Sequence, residues 1–435
     1  MGFCFFRFPL LLNSKHKYMK NTKLFLLTIL ILPLMVFGQD EARVHIINVG
    51  QGSATLLEFP CGVMLIDTGG EENTEFKSTE ILMNYLDEFF QRRTDLHATI
   101  DMLIISHPHK DHTAGIKSVV NKYTIKNVIS NGQEYGSGRY PQIFLHETIS
   151  NTEATPDPSD DIFYTESVNS KISPTGLLVP VFNSGSCNGI NTTIKLLWGR
   201  IPTNPGWTEA KYSNNNNHSV VARVDYGEAS ILFTGDLEEE AIQKLVQKFQ
   251  GTAMLDSDIY LVGHHGSKNG STLDMVRAIT PEIAVLSFGD PDRQEAWTAW
   301  QYGHPNKNII TMLQQNCSQS RTAKEVPVGT KSKTFTKMTI TKAVYGTGWD
   351  DHIILQATPS GTWRYLSELD HDIKININTA DIASLQNLPS IGPTRAQAIV
   401  DYRTAHGNFT SVEDLDAVPG IGPATITLIR SRVQI

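Results

Sequence analysis

The apolar run Met102-Leu103-Ile104-Ile105 passes directly into Ser106-His107-Pro108-His109-Lys110-Asp111-His112-Thr113-Ala114-Gly115. Four apolar residues between Asp101 and Ser106-His107-Pro108 suit a short strand buried on both faces. Three histidines and an aspartate then fall between positions 107 and 112, in a chain with 14 histidines among 435 residues. A single histidine at a strand end is commonly structural, whereas a set this dense is the chemistry of metal ligation. The chain must therefore deliver a buried strand end to a ligating loop, and strand ends are where open α/β sheets build their sites.

The same order, apolar run then polar punctuation, recurs along the sequence. Residues 44–49 lead to Gly50-Gln51-Gly52-Ser53, residues 54–59 follow, and residues 63–66 end at Asp67-Thr68-Gly69-Gly70. Residues 220–224 and 231–234 read as a strand pair ending at Gly235-Asp236, and residues 259–262 run into Gly263-His264-His265-Gly266-Ser267. A further strand at 283–287 precedes Tyr302-Gly303-His304-Pro305. Apolar residues at helical spacing (Ile81, Leu82, Tyr85, Leu86, Phe89) predict a helix over 79–92, and another is expected over 237–249. Residues 131–217, rich in Ser, Asn, Pro and Gly, read mostly as loops between a few strands. The class is α/β.

In His-x-His-x-Asp-His, His107 and His109 can face one ion while Asp111 and His112 face a second. Neutral imidazoles and carboxylates suit zinc first and manganese as the alternative. Asp236 is the candidate bridging carboxylate, and His265 or its neighbour His264 would complete the second site. Asp67 is expected to orient a ligand from behind, and His304 or Lys268 to protonate a leaving oxygen or hold a phosphate. Taken singly, Asp67 and Asp236 read equally well as turn residues, and His304 and Lys268 as surface decoration. Only the set points to metal.

These motifs resemble the metallo-β-lactamase fold. More narrowly, residues 49–54, Phe233-Thr234-Gly235-Asp236, His264-His265-Gly266-Ser267 and Tyr302-Gly303-His304-Pro305 are similar to the hydrolase domain of the competence protein ComEC. The resemblance covers about residues 42 to 350 and implies an αββα sandwich with a two-metal site at one edge of its sheets. Where many ComEC-like domains carry aspartate, this chain has His109. The histidine that usually precedes Gly-Asp has no clear counterpart; its place falls near Asn215, and His218 is the nearest candidate ligand. ComEC's polytopic membrane domain has no counterpart here, so the chain is not expected to be a transport channel.

Composition changes after about residue 366. Residues 376–435 read as short helices only, with Thr379 as an N-cap, a helix over 394–403 and two similar turns, Ile391-Gly392-Pro393 and Ile421-Gly422-Pro423. The apolar residue of each turn plugs the core while glycine frees backbone N–H groups for a phosphate. This segment resembles the helix-hairpin-helix domain of the DNA receptor ComEA, through "NINTA", "LPSIGPTRAQAIVDYR", "GNFTSVEDL" and "VPGIGPATI". The resemblance implies non-sequence-specific DNA contact through Ile391, Gly392, Thr394, Arg395, Gly420 and Gly422. From residue 371 onward five Lys/Arg face six Asp/Glu, so backbone affinity should be modest and salt-sensitive.

The net charge of −8 removes any global attraction to nucleic acid and leaves such binding to local sites. Residues 19–38 run from basic through apolar to a small residue, the order of a secretory signal peptide, with Met19 as an alternative start. The expected plan is a leader over 1–38, a hydrolase domain over 42–366 and a helix-hairpin-helix domain over 372–435, exported to the periplasm or beyond. Cys61, Cys187 and Cys317 then remain, allowing one disulfide of undetermined pairing. The expected activity is a metal-dependent phosphodiesterase acting on DNA, in which a water bridging two divalent ions attacks the phosphodiester as hydroxide. A small-ester or small-phosphodiester hydrolase with a docking tail, and a non-cleaving DNA-uptake protein, are the alternatives.

Overall fold

The computed structural model describes residues 40–74, 76–151, 163–164, 172–179, 190, 192–366, 375–386, 388 and 391–435. The leader expected over 1–38 lies outside them. An eight-stranded sheet runs in the order Trp363–Leu366, Ile353–Ala357, Ala42–Ile46, Thr55–Phe59, Gly62–Ile66, Met102–Ile105, Val128–Ser130 and Phe163–Tyr164. Its first five strands are antiparallel; from Gly62–Ile66 onward the pairing is parallel. A seven-stranded sheet runs Val344–Gly346, Ile283–Leu286, Ile259–Leu261, Ala229–Phe233, Val221–Tyr226, Thr192–Trp198 and Leu177–Val179.

Side-chain alternation explains why the sheets stack. Met64, Ile66, Met102 and Ile104 join the larger core, which also takes in Ile194, Ile231, Ile259 and Val285 of the second sheet. The intervening Val63, Leu65, Leu103 and Ile105 point the other way, against Leu82, Leu86 and Phe89 of helix Ser78–Arg92. Strands with both faces buried must be apolar at every position, hence the unbroken runs in the sequence. Each such buried side chain contributes roughly 1.5–3 kcal/mol. On the outer face of the second sheet lie helices Glu239–Lys248 and Leu273–Ile279, completing an αββα sandwich.

Parallel strands share a carboxyl edge. Asp67 follows Ile66, Ser106 follows Ile105, Asp236 lies three residues past Phe233, and His264-His265 come shortly after Leu261. Close approach of these loops needs glycine: a Cβ on Gly69 would lie 2.3 Å from the His112 nitrogen, and one on Gly52 2.5 Å from the Asp111 carbonyl oxygen. Backbone bonds then tie the loops, Thr68 N–H to His112 O at 2.9 Å and Ser53 N–H to Asp111 O at 3.0 Å.

The C-terminal segment has its own core of Ile377, Leu385, Ile391, Ile399, Leu415 and Ile429. Two expectations are corrected here. The segment is not helices only, because Ile375–Asn376 pairs in parallel with Val433–Gln434 and closes its ends. Thr379 is not an N-cap; Asp381 is, its carboxylate accepting from Ser384 N–H at 2.7 Å, because carboxylate suits the helix N-terminus. Helix Pro393–His406 starts directly after Gly392. Arg432 pairs with Asp351, which also accepts from Asn48 at 2.9 Å, tying the segment to the sandwich. Among the described residues no helix is long and apolar enough to cross a membrane.

Candidate metal centre

Asp67 anchors the cluster. It holds a left-handed φ of 59° and accepts from Ser106 N–H and Ser106 Oγ, both at 2.8 Å. Its Oδ2 takes the Nδ1 proton of His112 at 2.7 Å, which turns His112 Nε2 inward. His265, at φ 54°, donates Nδ1–H to the Ser287 carbonyl at 2.7 Å and likewise turns Nε2 inward. Fixing one imidazole nitrogen this way leaves the other as a ligand atom.

Asp236 stands between two groups. Its Oδ1 is 3.2 Å from His112 Nε2, and its Oδ2 is 3.5 Å from His265 Nε2 and 3.9 Å from His107 Nε2. His265 Nε2 also lies 3.3 Å from Asp111 Oδ2. Asp111, His112, Asp236 and His265 each offer a ligand atom, all within 4.8 Å of one another. On the other side His107 Nε2 and His109 Nδ1 are 3.1 Å apart.

Buried Nε2 atoms of His112 and His265 have no hydrogen-bond partner. Unsatisfied nitrogens pressed against carboxylates fit a divalent cation, which would take both. The electrostatics agree. Burial pushes His107, His109 and His304 below the ordinary imidazole value, and neighbouring histidines lower His107 and His304 further, so these rings are neutral. Burial also acts against charge on His265, yet Asp236 and Asp111 raise it to about 10. His112 is raised by Asp236 and Asp67 against the same burial. Burial disfavours the ionised forms of Asp111 and Asp236, but the surrounding imidazoles hold both below the usual carboxylate range. The cluster holds positive charge tightly.

Not every expected residue arrives. His218 does not face the cluster: its Nδ1 accepts from Ile201 N–H at 3.0 Å and its Nε2 donates to Tyr212 O at 2.6 Å, so both nitrogens are spent on backbone. Lys268 sits exposed in the turn after His265 and is not part of the cavity wall; Lys110 is. His264 and His304 line that wall, with His264 Nε2 3.9 Å from Asp236 Oδ2. His304 Nδ1 accepts from Gln51 Nε2 at 3.2 Å. The cavity, of about 490 Å³, also takes in Asn216, Trp297 and Tyr302. Sequence reasoning missed Ser106, Gln51, Asn216 and this aromatic pair. Ser106 and Gln51 lie inside the quoted motifs, but their partners are distant in sequence.

Residues 47–188 match the model of the metallo-beta-lactamase superfamily, and residues 370–434 match that of the helix-hairpin-helix motif. The chain joins a metallo-β-lactamase domain to a helix-hairpin-helix domain. Asp67 and residues 107–112 fall inside the first match; Asp236 and His265 lie beyond it and join the site by geometry. The chain is similar to ComE operon protein 3 of Bacillus subtilis (strain 168), 24% identical over 290 residues, 64% of this chain and 31% of that protein. Its helix-hairpin-helix domain is similar to ComE operon protein 1 of the same organism, 39% identical over 61 residues, 14% of this chain and 30% of that protein. The chain thus spans under a third of the length of either relative. Among solved structures, the metallo-beta-lactamase fold protein YhfI from Bacillus subtilis matches with a TM-score of 0.36 and 14% identity, over 69% of this chain and 100% of that one. Asp111, His112, Asp236 and His265 together form a donor set that suits a divalent ion.

In the helix-hairpin-helix domain Ile391 is buried, whereas Gly392 and Thr394 are exposed. A Cβ on Gly392 or Gly422 would meet nothing within 4 Å. Gly420, at φ 84°, lies beside the Arg395 side chain, so both turns share one surface.

Proposed function

We propose that this chain is an exported phosphodiesterase that cleaves DNA, using two divalent ions, zinc by preference or manganese. The observation that carries the reading is Asp236 standing between His107/His109 and Asp111/His112/His265 in an open cavity. When bound, paired divalent ions supply an activated water and neutralise charge on phosphoryl oxygens. His107 and His109 would hold one ion, Asp111, His112 and His265 the other, and Asp236 both. Asp67 and the Ser287 carbonyl fix the two inner imidazoles. His304, neutral and accepting at Nδ1, keeps its proton on Nε2 and can present that N–H as a hydrogen-bond donor to a phosphoryl or leaving oxygen.

Three further features support the reading. The helix-hairpin-helix domain offers open glycine turns to a DNA backbone through Gly392, Thr394, Arg395, Gly420 and Gly422. The relatives are named ComE operon proteins, and a further one is named competence protein ComA, of Neisseria gonorrhoeae. Cys61 is disulfide-bonded, and disulfides belong to oxidising compartments.

The test uses the purified chain, stripped of metal and reloaded with zinc or manganese, on plasmid and single-stranded DNA beside Asp111→Ala. Cleavage that needs metal and disappears in the variant is expected. Binding without cleavage would make the chain a capture protein, and neither binding nor cleavage would move it to small substrates.

A further inference from the structure

Trp297 is the most exposed large apolar side chain among the described residues, at 73%. Its backbone sits at φ 64°, a left-handed region unfavourable for a bulky residue and one that collects at functional sites. The surroundings hold it there. Trp297 N–H donates to Gln301 Oε1 at 2.6 Å, and Thr298 Oγ1 donates to the carbonyls of Arg293 at 3.0 Å and Glu295 at 2.8 Å. A stiff turn thus pushes an indole into solvent.

From that indole a ladder of rings descends to the metal centre. Trp297 and Tyr302 have centroids 6.4 Å apart; Tyr302 stacks on His304 at 5.5 Å and 26°; His304 stacks on His265 at 6.4 Å and 29°. Trp297, Tyr302 and His304 line the same cavity as Asp111 and Asp236. An occupant whose phosphate meets the ligand cluster would lay its neighbouring group on this aromatic rim.

We propose that Trp297 and Tyr302 form a base-stacking platform that selects single-stranded nucleic acid, or an unpaired end, for the metal centre. Every nucleobase has a π face that stacks on an aromatic side chain, whereas a base inside a duplex has both faces covered. The proposal rests on the phosphodiesterase reading and narrows its substrate to strands with free bases.

The test compares three fluorescent probes on the full metal-loaded chain: oligo(dT), an abasic strand with the same phosphates, and a blunt duplex. Affinity is read by anisotropy and turnover by gel. Wild type should bind oligo(dT) about tenfold tighter than the abasic strand, the worth of one stacked base. Trp297→Ala should remove that ratio by weakening oligo(dT) alone and raise its KM with kcat unchanged, while Trp297→Phe restores most of it. The helix-hairpin-helix domain reads backbone and therefore contributes equally to both strands. An unchanged ratio in Trp297→Ala, or equal weakening of both strands, would overturn the platform and leave the phosphodiesterase standing. If wild type neither binds nor cuts any probe, the phosphodiesterase reading itself fails and the platform with it.

Discussion

Asp67 decides what His112 can do. Its Oδ2 holds His112 Nδ1 at 2.7 Å while Ser106 fixes the carboxylate from behind. Replacing such an orienting carboxylate typically weakens metal affinity 10- to 100-fold. Asp67→Asn should therefore release metal to a competing chelator 10- to 100-fold more readily, with an unchanged circular dichroism spectrum. The sequence carried Asp67, residues 107–112, Asp236 and His265 as candidates because each follows an apolar run, a pattern visible in one dimension. It misassigned His218, since nothing in Asn214-Asn215-Asn216-Asn217-His218 reveals that Ile201 and Tyr212 claim both ring nitrogens. Lys268 failed similarly: adjacency to His265 in sequence does not set the direction of a turn.

At the scale of elements, strand Thr55–Phe59 is locked to helix Ser78–Arg92 by charge as well as packing. Glu58 is fully buried and accepts from His45 at 3.2 Å and from Arg93 at 2.8 Å, with Arg92 at 3.4 Å. Burial alone would raise its carboxyl, but the His45 bond and the Arg92, His45 and Arg93 contacts bring it down to about 2. The depressed value means that its stabilisation is complete above the unfolded carboxyl's range near 4.5 and is lost as pH falls through about 2. Urea unfolding should show Glu58→Gln less stable than wild type by about 3 kcal/mol at pH 6, the gap closing toward pH 2. The fully buried strands were legible because every position had to be apolar. The hairpin Ser320–Lys331 and Thr334–Lys342 was not, because it buries little beyond Val326, Val328 and Ile340 and its alternation is confined to the short Val326/Val328 and Met338/Ile340 stretches. Helix Arg139–Asn151 was hidden likewise, with Pro141 and three β-branched residues (Ile143, Thr148, Ile149) in a stretch read as loop.

At the scale of the molecule, two modules divide the work. The hydrolase domain concentrates charge in one cavity, while the C-terminal domain offers open glycine turns with Arg395 between them. On the proposed DNA-binding reading, near-neutral charge would leave the latter modest, salt-sensitive backbone affinity. Gly420→Ala strains a φ of 84° and crowds Arg395. It should weaken DNA binding severalfold at low salt while leaving metal-dependent turnover of bis(p-nitrophenyl) phosphate unchanged, measured side by side.

The most direct test of the central claim is metal stoichiometry by inductively coupled plasma mass spectrometry, on wild type and Asp236→Asn reloaded under identical conditions. Two equivalents of divalent metal in wild type, falling to one or fewer in the variant, is the result this account predicts. Equal metal content in both proteins, or none in either, would contradict it.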